Sequence, residues 1–127
     1  MWSSVILYCV FIFLLSSQPD LTLPNIGPHS DKFAHLFLYA GLGGLGARAW
    51  RREQPGWPFL AVVVFASTLA AAYGASDELH QAYVPGRCSD WRDWLADICG
   101  GTFGGIAYIS WLQLKATAWR RWFSRTF

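Results

Sequence analysis

Chemistry-bearing side chains fall in three short runs of the 127-residue chain. The first holds Asp31, Lys32, His35 and Tyr39. Asp31, His35 and Tyr39 are spaced i, i+4, i+8, which puts all three on one face of a helix. The second is Ser76-Asp77-Glu78-Leu79-His80-Gln81, followed by Pro85-Gly86 and Arg87. If a helix continues through it, Asp77 and Gln81 share a face while Glu78 and His80 point in different directions. The third places Asp93 and Asp97 on one stripe with Gly100 or Gly101 and Gly104 or Gly105. Lys32 and Arg87 could hold a phosphate or carboxylate, and the acids and Gln81 could bond sugar or headgroup hydroxyls. The ligand-binding set is therefore Asp31, Lys32, His35, Tyr39, Asp77, Glu78, Gln81, Arg87, Asp93 and Asp97.

The same side chains admit other chemistry. His35, Glu78 and His80 are candidate ligands for a divalent metal, although no cofactor is firmly implied. His35, Glu78 and Asp93 are candidate catalytic groups for acid/base attack on a phosphoester or acyl bond. No H-E-x-x-H or G-x-S-x-G spacing forces either reaction. Glu78 and His80 could share a metal only where the helix ends between them.

The chain that must position these groups is 54% hydrophobic and 14% charged. That is about half the roughly 25% charge of a soluble domain. Such a composition excludes disorder, and a net charge of +2 disfavours nucleic acid as a partner. Four stretches, about 2–17, 33–50, 57–74 and 94–114, are nearly free of charge. Each approaches the roughly 20 residues that cross a hydrocarbon core. All six prolines lie between these stretches or at their edges, where they break no helix. The expectation is an all-α integral membrane bundle of four transmembrane helices spanning residues 1–114. A basic, aromatic, amphipathic tail over residues 115–127 then lies along the inner leaflet. The first stretch lacks a basic leader and a small-x-small cleavage site, so it reads as a retained helix.

Charge distribution orients the bundle. One side carries Arg48, Arg51, Arg52, Lys115, Arg120, Arg121 and Arg125, with Glu53 as its acid. The other carries Lys32, Arg87 and Arg92 with Asp20, Asp31, Asp77, Glu78, Asp90, Asp93 and Asp97. The positive-inside rule puts both termini in the cytoplasm and the polar cluster on the outer face of the cytoplasmic membrane. Tryptophans 2, 50, 57 and 111 fall near inner ends and 91 and 94 near an outer end, as in an aromatic belt. Ser30 or Asp31 can cap the second helix, and Ser89 or Asp90 the fourth. The glycine stripes permit close helix contacts, including a homo-oligomer through those faces. Cys9, Cys88 and Cys99 do not form a disulfide framework.

Three linked patterns carry a family resemblance. They are Asp31-Lys32-x-x-His35-x-x-x-Tyr39, then Ser76-Asp77-Glu78-x-His80-Gln81-x-x-x-Pro85-Gly86-Arg87, then Asp93-x-x-Ala96-Asp97-x-x-Gly100. With Leu15-Ser16-Ser17-Gln18-Pro19, they make the chain from about 10 to 110 resemble the VanZ-like membrane protein family. The resemblance implies membrane location and four helices. It also implies a cell-envelope role in antibiotic resistance, because the founding member lowers susceptibility to the glycopeptide teicoplanin. Most relatives have no established reaction.

Three functional classes follow. The first is a binding module for a lipid headgroup, a cell-wall intermediate or a glycopeptide, with membrane lipid as partner. The second is a membrane-embedded hydrolase or transferase, metal-dependent or acid/base, acting on a lipid-linked substrate. The third is a structural or partner-binding protein whose polar cluster latches the helix ends. Binding ranks ahead of catalysis, because so many ionisable groups exceed what a latch needs while no motif dictates a reaction.

Overall fold

A computed structural model describes residues 2–19 and 30–126, with side chains through Trp122. Asp20, counted above among the outer acids, lies outside the described residues. Four helices, with no strand among the described residues, make up the fold. They are α1 (Trp2–Ser16), α2 (Ser30–Glu53), α3 (Phe59–Gln81) and α4 (Trp91–Thr126). Among them α3 has the length and hydropathy to cross a membrane, and α1 is apolar but shorter. The charges at the ends of α2 and α4, together with their glycines, lower the hydropathy of those two helices.

The helix boundaries have local causes. Ser30 and Asp31 both sit in the first turn of α2. Pro58 precedes α3, where its missing N–H costs nothing. That helix does not stop with its apolar run at Gly74 but carries the ionisable segment to Gln81. Pro85-Gly86 then turns the chain, with Gly86 at φ 77°, the left-handed region that glycine enters freely. Asp90 caps α4: its Oδ1 accepts from Arg92 N–H at 2.9 Å and its carbonyl from Asp93 N–H at 2.9 Å. From there α4 runs past residue 115 to Thr126 without a break, so the basic aromatic tail continues the helix.

Packing is closest between α2 and α4. A side chain at Gly43 would strike the backbone of Gly101, and one at Gly104 the carbonyl of Ala40. Their absence lets the two backbones approach. On its other flank α4 sets Gly105 against Ala66 of α3, where an added Cβ would lie 2.8 Å from the alanine methyl. Ser67 and Thr102 hydroxyls bond at 2.7 Å across the α3–α4 interface, and Trp94 Nε1 donates to Ala71 O at 2.9 Å.

One apolar cluster joins Val5 and Ile12 of α1 to Tyr39, Leu42 and Ala49 of α2 and Ala70 of α3. A second joins Ala47, Val62, Ala66 and Ile109. At the end holding the α2–α3 turn, Trp50 stacks on Phe65 at 4.4 Å and meets Trp2 and Trp57 edge-on. Large apolar side chains also cover the outside, with Leu7, Phe37, Leu60 and Phe103 at 66% to 71% exposed. The buried acids, Asp77, Glu78, Asp93 and Asp97, are gathered at the opposite end.

Candidate functional site: a cavity beside buried acids

The site is assembled where the start of α2, the end of α3 and the start of α4 converge. Lys32 sits at its rim and clasps three acids: Asp93 at 2.9 Å, Asp31 at 3.0 Å and Asp90 at 3.2 Å. Asp93 is buried, whereas Asp31 is half exposed. The Asp93 hydrogen bond, with those from Asp31 and Asp90, outweighs burial and pushes the Lys32 ammonium above its ordinary range. For Asp31, burial acts upward, but the bond and charge of Lys32 prevail and the carboxyl is held low. Asp90 is also held low, first by the Arg92 N–H and then by Lys32.

One turn deeper, His35 Nδ1 lies 2.9 Å from Asp97 Oδ1, and Asp97 is fully buried. The His35 ring stacks nearly parallel to Tyr39, with centroids 6.3 Å apart. The other oxygen, Asp97 Oδ2, has no hydrogen-bond partner. It packs against Gly74, where an added Cβ would stand 2.6 Å from it. Gly74 therefore makes room for the carboxylate.

Glu78, one turn beyond Gly74, ties α3 to the cap of α4. Its Oε2 accepts from Asp90 N–H at 2.8 Å and Ser89 Oγ at 3.1 Å. Its Oε1 is buried without a partner. Gln81 Nε2 donates to Asp77 Oδ2 at 3.0 Å, as their shared face requires, and both residues are buried.

Beside this network lies a cavity of about 400 Å³. Its polar wall is Asp31, His35, Tyr39, Asp77, Gln81, Arg87 and Asp93, and Ile12, Leu15 and Leu38 form its apolar side. Three lining residues carry buried polar atoms without partners: Tyr39 OH, Arg87 Nε and Ser16 Oγ. Native interiors rarely leave such atoms unsatisfied without a water, an ion or a ligand to meet them. No ion pair to Arg87 is present among the described residues.

Seven of the ten ligand-binding residues named from the sequence line the cavity. The remaining three, Lys32, Glu78 and Asp97, form the hydrogen-bonded layer beside it. His80 stands apart. Its ring lies 4.6 Å from Phe13, with Nε2 3.0 Å from Ser17 Oγ, so it joins α3 to α1 rather than to His35 and Glu78. Ser17 Oγ donates to Phe13 O at 2.7 Å, which marks the pair as a tie at the end of α1. Three contributors are absent from the site residues named from the sequence: Ser16 in the cavity wall, Ser89 on Glu78 and Gly74 beneath Asp97. For Gly74 the signal lay in its i, i+4 relation to Glu78. Cys9, Cys88 and Cys99 are free thiols, and Cys88 lines the cavity mouth.

An all-helical chain with an apolar exterior and, at one end, an open cavity lined on one side by ionisable residues defines the class. A family model described as VanZ/LLP1 matches residues 2–113, and the chain belongs to that family. No curated protein and no solved structure matches it.

Proposed function

We propose that this VanZ-family protein is a multi-pass membrane protein whose outward-facing cavity binds the polar headgroup of a lipid or lipid-linked cell-wall intermediate. The observation that carries the reading is the set of unpartnered polar atoms in the cavity wall, Tyr39 OH, Ser16 Oγ and Arg87 Nε. They sit beside carboxylates fixed by Lys32 and Gln81. Arg87 would take the anionic part of a headgroup as a planar fork of donors. Tyr39, Asp77 and Gln81 would take hydroxyls or an ammonium. The apolar side formed by Ile12, Leu15 and Leu38 suits the first carbons of an acyl or polyprenyl chain.

Membrane residence is supported by the apolar length of α3 and by family membership. The broadly apolar exterior adds support, since soluble monomers rarely expose large contiguous apolar patches. In the four-span arrangement both termini and the α2–α3 turn face the cytoplasm. A glycopeptide-resistance role, implied by the family, would follow if the same cavity receives the lipophilic part of a teicoplanin-like molecule or its target.

The test is ligand retention through purification in mild detergent. Wild-type protein should carry a lipid-class ligand that Arg87→Ala and Tyr39→Phe lose while remaining folded. Ligand retained equally by both variants would remove the cavity from the reading.

A further inference from the structure

We propose that His35, Glu78 and Asp97 form a binding site for one divalent cation of the zinc and manganese type, where α2, α3 and α4 meet. The site does not depend on the headgroup reading. One ligand atom from each of the three residues lies within 4.8 Å of the others. A cation with bonds of about 2.0–2.2 Å holds its ligand atoms roughly 3–3.5 Å apart, so the three side chains would close in by about an ångström on binding.

Proximity alone would describe any acidic cluster. The second observation is that Glu78 Oε1 and Asp97 Oδ2 are buried and make no hydrogen bond. Glu78 is 7% exposed and Asp97 0% exposed. No Lys or Arg pairs with either carboxylate among the described residues, since Lys32 is held by Asp31, Asp90 and Asp93. Two adjacent desolvated carboxylates thus share at most the single charge of His35, which pairs with Asp97 at 2.9 Å, and a divalent cation would supply the charge that balances both.

The remaining oxygen of Glu78 is fixed in the way that outer-shell partners fix metal ligands: Oε2 is held by Asp90 N–H and Ser89 Oγ. Asp97 Oδ1 lies 2.9 Å from His35 Nδ1, so the carboxylate and the imidazole already stand side by side at the site. A structural latch accounts for those bonds but leaves Oε1 and Oδ2 without a role. An imidazole with two carboxylates favours zinc, manganese or ferrous iron over calcium and magnesium, and over the thiophilic ions. Because His35 also lines the cavity, a bound ion would sit at the cavity wall with coordination positions left for water or a ligand atom.

The experiment uses the full chain in mild detergent, stripped with a chelator and titrated with Zn²⁺, Mn²⁺ and Co²⁺. Elemental analysis and calorimetry should give one ion per chain, and Co²⁺ should develop visible d–d absorption. Asp97→Asn and Glu78→Gln, which keep side-chain size, should each weaken binding by more than about tenfold. His80→Ala, on the α1 side of the bundle, should bind like wild type. Zn²⁺ should raise the unfolding temperature of wild type and not of Asp97→Asn. Absence of stoichiometric binding to folded wild type would overturn the proposal, whatever lipid the protein carries. Binding that survives both carboxylate substitutions would overturn it as well, and the Co²⁺ spectrum of wild type decides the matter even if a variant fails to fold.

Discussion

At the residue scale, Lys32 is the hinge of the site. It ties the first turn of α2 to the Asp90 cap and to buried Asp93 of α4. Replacing it with alanine leaves Asp93 buried without its cation, at a cost of about 1–3 kcal/mol by the usual worth of charged hydrogen bonds. Thermal unfolding in detergent should report that loss, with Lys32→Arg retaining part of the clasp. The pH profile has a fixed sign. Asp31 and Asp90 are held below their ordinary 3.8, so their contribution is present above about that pH and fades as pH falls through their folded values. Lys32 is held above its ordinary 10.5, so its contribution is full below that pH and is lost as pH rises through the higher folded value. Wild type should lose stability on acidification below about pH 4, and Lys32→Ala should show a shallower acid slope. An equal slope in both proteins would remove the clasp from the account. The participation of Asp31, His35, Asp77, Gln81 and Asp97 could be read from spacing alone, because i, i+4 relations fix faces. The absence of any partner for Tyr39 OH and Asp97 Oδ2 could not, because it depends on three helices meeting.

Elements explain where reading the sequence stops. The apolar stretch ending at Gly74 marks where lipid-compatible residues end, not where the helix ends. α3 continues to Gln81 because Asp77 and Glu78 find donors in Gln81, Ser89 and the Asp90 N–H. Likewise α4 begins at Asp90's cap rather than at the first apolar run, and it runs through Lys115 because nothing in that segment breaks a helix. The glycine stripe was legible as a close-packing surface, but its partners were not: Gly104 meets Ala40 of α2, and Gly105 meets Ala66 of α3. Gly104→Ala forces a methyl into the Ala40 carbonyl and should destabilise the bundle by about 1–3 kcal/mol. Gly56, with open space around it, is the matched control for that unfolding measurement. Comparable loss at both positions would mean that the α2–α4 approach does not limit stability.

Across the whole molecule, polar chemistry occupies one end and an aromatic cluster with the arginines of α2 the other. That asymmetry was visible in the sequence as seven cations against one acid on one side. The cavity itself was not, because α1 contributes Ile12, Leu15 and Ser16 to a wall otherwise built from distant segments. Cys88 offers a direct test of orientation, since it is exposed at the cavity mouth. In a chain with Cys9 and Cys99 replaced by alanine, a membrane-impermeant maleimide should label Cys88 in intact cells. A cysteine placed instead at Gly56 should label only after permeabilisation. The reverse pattern would turn the cavity toward the cytoplasm and exclude extracellular glycopeptides as its ligands.

The most direct measurement of the central claim is native mass spectrometry of the protein released from mild detergent, with Arg87→Ala and Tyr39→Phe alongside. The account predicts an added mass of lipid class on wild type that is absent from both variants, each still compact by its charge-state distribution. Bare protein in all three samples, or an identical adduct on all three, would contradict binding in this cavity.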